Sequence, residues 1–346
     1  MLILCTSGVL AYVGIALFRR QSLKRQWLDM PNERSSHERP TPRGAGIVVV
    51  SVCLLGYLLT VFVTGIHFSW GYFVGAILVA FVSWLDDLYS LAFGWRLSAH
   101  ILAAVLVIYS EGAWNLISLG SGVEFSLLWT GPFVTTLWVV WVINAYNFMD
   151  GIDGIAGVQG LAASAAWAAI CAGAGNGTYL FALIVFSAVA AFVFHNWHPA
   201  RVFIGDVGSA FLGFTFAAMP LLVANEIPSK AGLLPIASIL VLWPFVFDTA
   251  LTLCRRLWRR ELIWTAHREH LYQRLVIAGF SHSTVTMVYG AFAVVTSSTA
   301  LLVLSGSGNF SLIIIGFVLV ISVFFMFIIS RAYRASTRLA DTPHGA

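Results

Sequence analysis

Unbroken apolar runs limit what this 346-residue chain can become. Stretches of roughly 15–22 apolar residues recur along it, the length a helix needs to cross a bilayer, without the residue-by-residue alternation of a membrane β-barrel. Hydrophobic residues make up 59% of the chain and charged ones only 10%. With a mean hydropathy of +0.88, an ordinary soluble domain is excluded. The sequence therefore predicts an all-α, polytopic integral membrane protein. About 11 spans can be drawn, at roughly 2–18, 46–64, 71–86, 97–110, 132–147, 157–174, 178–195, 209–224, 232–253, 284–305 and 310–330.

Lys and Arg orient these spans. The loop after the first holds Arg19, Arg20, Lys24, Arg25, Arg34, Arg39 and Arg43. Loops of the same parity hold Arg96, then Arg201, then Arg255, Arg256, Arg259, Arg260, Arg268 and Arg274, and the tail adds Arg331, Arg334 and Arg338. The opposite parity has Lys230 alone. This partition predicts the N-terminus outside and the C-terminus in the cytoplasm. The first run is followed, not preceded, by positive charge and lacks a small-residue cleavage site, so it reads as an uncleaved helix. The pI near 9.0 reflects topology and anionic headgroups, with no nucleic acid implied. Cys5, Cys53, Cys171 and Cys254 show no CxxC pairing and read as core residues. Residues 1–346 read as one transmembrane domain, its site formed by loops 19–45, 86–96, 147–156, 196–209 and 255–283.

Acidic groups at membrane depth are expensive and imply a use. Asp86 and Asp87 close the third span, where the helix dipole favours cations, so two adjacent carboxylates there ask for a metal or proton. The run Asn144-Ala-Tyr-Asn147-Phe-Met-Asp150-Gly151-Ile-Asp153-Gly154 ends the fifth span. A helix continuing through it would set Asn144, Asn147, Asp150 and Asp153 on one face. Asp206, in Gly-Asp-Val-Gly-Ser, opens the eighth span, where it is also a good helix cap. Asp248 lies about one turn inside the ninth span, as a weaker site candidate or the structural partner of an arginine. An aspartate set without thiolates suits Mg²⁺, or Mn²⁺, better than zinc, and such a site reads as nucleotide-diphosphate chemistry. No Walker A motif is present.

Two loops supply complementary charge. In His267-Arg268-Glu269-His270-Leu-Tyr272-Gln-Arg274, helical i,i+3 spacing would put His267 and His270 on one face as phosphate ligands. Arg255, Arg256, Arg259 and Arg260 read as anchors at lipid headgroups. The first loop carries Asp29-Met-Pro31-Asn-Glu-Arg34-Ser-Ser-His37 and Pro40-Thr41-Pro42-Arg43-Gly44, whose prolines and glycine predict an ordered turn rich in anion-binding donors.

Taken in order, these motifs resemble the polyprenyl-phosphate N-acetylhexosamine-1-phosphate transferases, over nearly the whole chain and closest to the WbpL-like branch that initiates O-antigen. The resemblance implies transfer of an N-acetylhexosamine 1-phosphate from a UDP-sugar to undecaprenyl phosphate, releasing UMP, with Mg²⁺ as cofactor. It implies a multi-pass enzyme of the bacterial inner membrane, consistent with a homodimer. Carried over by position, Asp206 resembles the Mg²⁺ ligand and Asp86 the residue that deprotonates the lipid phosphate or attacks as nucleophile, with Asp87 beside it. Asp150, Asp153 and His267 join the catalytic set. Asn147, Gly151, Asn196, Phe203, Arg268, His270, Thr41, Arg43 and Arg96 fall in the substrate-binding set, with Asn196 and Phe203 toward uracil. Two departures stand out: Glu269 occupies a position that the family gives to histidine, and Ala45 one that the branch gives to glycine. A secondary transporter using boundary aspartates, and a scaffold subunit of a polysaccharide complex, are the rival readings. The first predicts acids near the midplane and inverted repeats, and the second needs no metal-site constellation.

Overall fold

The computed structural model describes residues 2–31, 39–120, 122–262, 267–305 and 311–340. The part of the Pro31–His37 motif from residue 32 on lies outside them. Among the described residues thirteen α-helices follow one another: α1 Leu2–Arg25, α2 Gly46–Thr64, α3 Trp70–Tyr89, α4 Phe93–Glu111, α5 Gly131–Met149, α6 Ile155–Gly173, α7 Tyr179–Asn196, α8 Gly205–Ala224, α9 Leu234–Val241, α10 Trp243–Trp258, α11 Leu271–Ile277, α12 His282–Leu304 and α13 Ser311–Ala340. Ten among the described residues are long and apolar enough to span a membrane, or eleven if one bent pair counts as a span. The all-α polytopic fold is as the apolar runs predict.

The bent pair is the predicted ninth span. Its two halves, Pro228–Val241 and Trp243–Trp258, meet at 74°. Pro244, at the start of α10, lacks the N–H that would continue the ladder and its ring crowds the preceding turn. Two small hairpins decorate the bundle. Leu28–Asp29 (β1) pairs antiparallel with Thr41–Pro42 (β2), and Leu116–Gly120 (β3) pairs with Val123–Ser126 (β4).

Helix α8 is the axis. In its apolar stretch 94% of residues are buried, against 17% in α1 and in α13, and it packs on α2, α3 and α5. Lipid tails are as apolar as leucine, so helices in a bilayer associate by close packing of small residues. The starts of α2 and α8 show this: a Cβ on Gly46 would lie 2.4 Å from the Cα of Gly208. Just before it, the chain of the first loop adds to the α8 entry like a strand. Phe203 N–H donates to the Pro42 carbonyl at 2.8 Å, Gly44 N–H to Phe203 at 3.1 Å, and Gly46 N–H to Ile204 at 2.8 Å. That pairing carries Arg43 to the N-terminus of α8. The cysteines divide: Cys53 and Cys171 are buried, but Cys5 and Cys254 are exposed and not core residues.

Candidate active site

At one end of the bundle the structure gathers Asp86, Asp87, Asp206, Arg43 and Arg96. Arg43 Nη2 lies 2.6 Å from Asp206 Oδ1 and 3.0 Å from Asp87 Oδ1. Arg96 Nη1 lies 2.7 Å from Asp86 Oδ2 and 3.8 Å from Asp206 Oδ2. The neighbouring aspartates of α3 do different jobs. Asp87 accepts from the backbone N–H groups of Asp206 and Val207, both at 3.1 Å, and so caps α8 from another helix. Such a cap contributes about 0.5–2 kcal/mol. Asp86 accepts from Leu91 N–H at 2.7 Å, fastening the end of α3 to its own following turn. Asp206, expected as a good cap, makes no cap bond: that job belongs to Asp87, and the Asp206 carboxylate is turned to the arginines.

Exposure follows the same division. The Asp86 and Asp87 side chains keep 7% and 8% of their surface, Asp206 keeps 19%, and Arg96 and Arg43 keep 32% and 38%. The face that a ligand would meet is thus Asp206 flanked by two guanidiniums. Arg43 sits outside the spans, where burial weakens its hold on the proton but the charges of Asp206 and Asp87 outweigh that and raise its pKa. Three carboxylates against two guanidiniums leave a formal charge of −1.

The Asn-rich segment does not stay helical. Helix α5 stops at Met149, and Asp150 closes it in a non-helical conformation. Asn144 and Asn147 therefore share a helical face, whereas Asp150 and Asp153 lie in the turn before α6. Burial, then the charge of Asp206, pushes the Asp150 carboxyl well above the usual range. Asp153 turns elsewhere. Its Oδ2 lies 2.6 Å from His198 Nδ1 and 3.4 Å from His282 Nδ1, and accepts from Ala200 N–H at 3.2 Å. Burial would raise its pKa, but the His282 and His198 imidazoles hold it below the usual range. Asn196 is engaged by the backbone: Gly154 N–H donates to its Oδ1 at 2.8 Å, and its Nδ2 donates to Val202 at 2.9 Å. Phe203 is half-buried in the strand-like pairing with Arg43, and Thr41 is buried, donating to Arg39 at 2.9 Å.

The histidine motif is not helical. His267 to Glu269 precede α11, and His270 is its cap residue. The two imidazoles still sit together, ring centroids 5.0 Å apart. Burial, helped by His270 and Arg256, lowers His267 from 6.5 to about 4, so its ring is neutral near pH 7. Asp248 sets this segment. Fully buried, it accepts from Leu271 N–H at 2.8 Å, Tyr272 N–H at 3.2 Å and Tyr289 Oη at 2.7 Å, and lies 3.2 Å from His270 Nδ1. Of the two readings left open for it, site candidate or partner of an arginine, the contacts give a third: its partners are a helix N-terminus, a tyrosine and a histidine. Tyr272 then donates to the Phe148 carbonyl at 3.1 Å, and a Cβ on Gly151 would meet its hydroxyl at 2.1 Å. The motif is thereby seated on the Asn147–Gly151 turn.

The arginines of α10 are not all headgroup anchors. Arg256 is only 5% exposed and lies 3.0 Å from Glu261 and 3.4 Å from Glu269. Glu269 also reaches Arg259 at 3.2 Å and Arg274 at 3.7 Å. In the position given to histidine in the family, Glu269 gathers arginines beside the two imidazoles. His198 and His282 went unnoticed in the sequence, where a single histidine carries no spacing signal, and Tyr272 was read only as part of the histidine motif.

A bundle of membrane-spanning helices with carboxylates and arginines meeting at helix ends defines a membrane-embedded protein with a charged cluster at one end of the bundle. Residues 69–224 match the model of glycosyl transferase family 4. The chain is 28% identical over 307 residues to the probable undecaprenyl-phosphate N-acetylglucosaminyl 1-phosphate transferase of Bacillus subtilis, covering 88% of this chain and 85% of that protein. It is 24% identical over 312 residues to the decaprenyl-phosphate N-acetylglucosaminephosphotransferase of Mycobacterium tuberculosis (82% and 77%). A short stretch of 56 residues is 41% identical to the phospho-N-acetylmuramoyl-pentapeptide-transferase of Heliobacterium modesticaldum, covering 16% of this chain and 17% of that protein. Over these stretches the chain is similar to glycosyl transferase family 4 and to proteins named as polyprenyl-phosphate sugar-phosphate transferases.

Proposed function

We propose that this protein transfers an N-acetylhexosamine 1-phosphate from a UDP-sugar to a polyprenyl phosphate, releasing UMP, as a first step in building a surface polysaccharide such as O-antigen. The observation that carries the reading is the convergence of Asp86, Asp87 and Asp206 with Arg43 and Arg96. It occurs in a chain that aligns over most of its length with polyprenyl-phosphate phosphotransferases. The basic residues of the loops support a reading in which this end faces the cytoplasm at a bacterial inner membrane. There a soluble nucleotide sugar arrives from water while the lipid phosphate slides in from the bilayer. Arg43 and Arg96 offer guanidinium forks to phosphate oxygens. His270, held by Asp248, and His267 stand across the Asn147–Gly151 turn as further donors, with Arg268 and Arg274 in the same segment.

The carboxylate oxygens, with their formal excess of negative charge, fit a hard divalent cation. Asp206, with Asp86 beside it, would hold Mg²⁺, which when bound screens the diphosphate and the departing nucleotide phosphate. An acceptor phosphate oxygen bonds to the sugar-linked phosphorus as the bond from that phosphorus to the bridging oxygen of UMP breaks. Both oxygens of Asp87 are spent on the α8 N-terminus, and those of Asp86 on Leu91 N–H and Arg96, so Asp206, the most exposed of the three, is left to face the acceptor.

The transporter reading is disfavoured. The acids lie at helix ends in contact with arginines, not along a path across the bundle. The decisive experiment supplies purified protein with polyprenyl phosphate and radiolabelled UDP-N-acetylglucosamine or related UDP-N-acetyl sugars, with Mg²⁺ or with chelator. Labelled lipid and free UMP, both requiring Mg²⁺, are expected. Absence of UMP release with every donor would sink the proposal, and equal rates in chelator would sink the metal assignment.

A further inference from the structure

The Asp153–His198–His282 cluster has chemistry that the arginine-flanked site does not need. We propose that it is a separate binding site for one borderline divalent cation of the zinc type, a pin between three segments of the chain. The donors come from the turn before α6, from the loop between α7 and α8, and from the first residue of α12. One ligand atom from each lies within 4.8 Å of the others. Two imidazole nitrogens and one carboxylate oxygen form a set that prefers Zn²⁺ and its neighbours to Mg²⁺.

A second observation points to a ligand. His282 is only 8% exposed, and its Nδ1 is a buried polar atom without a hydrogen-bond partner. That nitrogen stands 3.4 Å from Asp153 Oδ2. A buried polar atom left this way is costly, and the carboxylate oxygen it faces already accepts from Ala200 N–H and is in contact with His198. A cation between the three atoms gives each lone pair a partner at once.

Distances permit it. Tetrahedral Zn²⁺ with bonds of about 2.0–2.2 Å separates its ligand atoms by roughly 3.3–3.5 Å. The His282–Asp153 gap is already 3.4 Å. The His198–Asp153 gap of 2.6 Å has to widen by less than about 1 Å, within reach of a rotation of His198, the exposed member at 42%. Both imidazoles would bind through Nδ1 with the proton on Nε2, so a neutral ring changes tautomer and releases no proton. The outer contacts of such a site are present: Ala200 N–H orients the carboxylate, and the Thr286 hydroxyl, one turn into α12, donates to the Asp153 carbonyl at 2.8 Å.

The test needs no transferase activity. Tag-free, chelator-stripped protein in detergent is equilibrated with Zn²⁺ in excess Mg²⁺, and bound zinc and the thermal midpoint are measured. The wild type should hold one zinc per chain and gain thermal stability. His282→Ala and His198→Ala should each bind about tenfold or more weaker and lose the gain, while Asp206→Asn keeps both. If His282→Ala fails to fold, the exposed His198→Ala still decides. Failure of the wild type to take up one zinc, or full retention by a folded histidine variant, overturns the proposal. Because binding is the readout, its failure would leave the transferase reading untouched, and the reverse holds too.

Discussion

Asp206 and Asp248 are both aspartates near a break in the helical bundle, yet the protein treats them oppositely. Asp248 is fully buried and saturated: two backbone N–H groups, a tyrosine hydroxyl and the His270 ring surround it. Asp206 is the most exposed of its three carboxylates and is met by charged side chains that are themselves open to ligands. Saturation marks the scaffold and incomplete neutralisation marks the site. Asp87 stands between, saturated by the start of α8 yet in contact with Arg43.

That contrast predicts different losses. Asp248→Ala leaves buried donors unpaired and should cost about 3–5 kcal/mol of stability, read as a collapse of the thermal midpoint in detergent. A midpoint near that of the wild type would erase the distinction. Asp206→Asn should spare the midpoint while cutting sugar-phosphate transfer roughly 10²–10³-fold, as labelled lipid assays would show. Asp87→Asn should fall between, losing about 0.5–2 kcal/mol as the α8 cap weakens and slowing transfer because Asp206 rides on that helix start. His267→Gln should have the smallest effect, confined to acid. The folded imidazole at about 4 stays neutral while the unfolded one, at 6.5, takes up a proton. Wild-type stability therefore falls as pH drops through that window. The glutamine variant should lack that slope, and an identical slope in midpoint against pH would count against the neutral ring.

How much the sequence discloses depends on the range of the signal. Hydropathy over a span is a local sum, so ten of the eleven runs appear as single helices, although α1 continues past the drawn end at 18 to Arg25 and α13 past 330 to Ala340. The break of the ninth at Leu242 was hidden because the run stays apolar across it and Pro244 alone signals it. The hairpin from Leu116 to Ser126 had a local signal in its glycines and alternating residues, masked by the membrane context. The acids were visible because charge is scarce. Their partners were not, since Arg43 and Asp206 lie 163 residues apart and His198 and Asp153 are 45 apart. No periodicity predicts such meetings. The jobs of Asp87 and Asp248 were likewise hidden, because capping from another helix leaves no spacing rule.

The strand-like pairing between the chain at 42–46 and the entry to α8 also bears on how the protein is born. Arg43 and Asp87 are synthesised more than a hundred residues before Asp206. Until α8 enters the bilayer, a charged arginine and an unsatisfied carboxylate wait at the membrane edge without the helix start that joins them. Assembly of this end thus waits for its axis, which is made only after seven helices are already in place. A ribosome stalled just after α7 should present these groups to the chaperones and proteases that patrol the membrane.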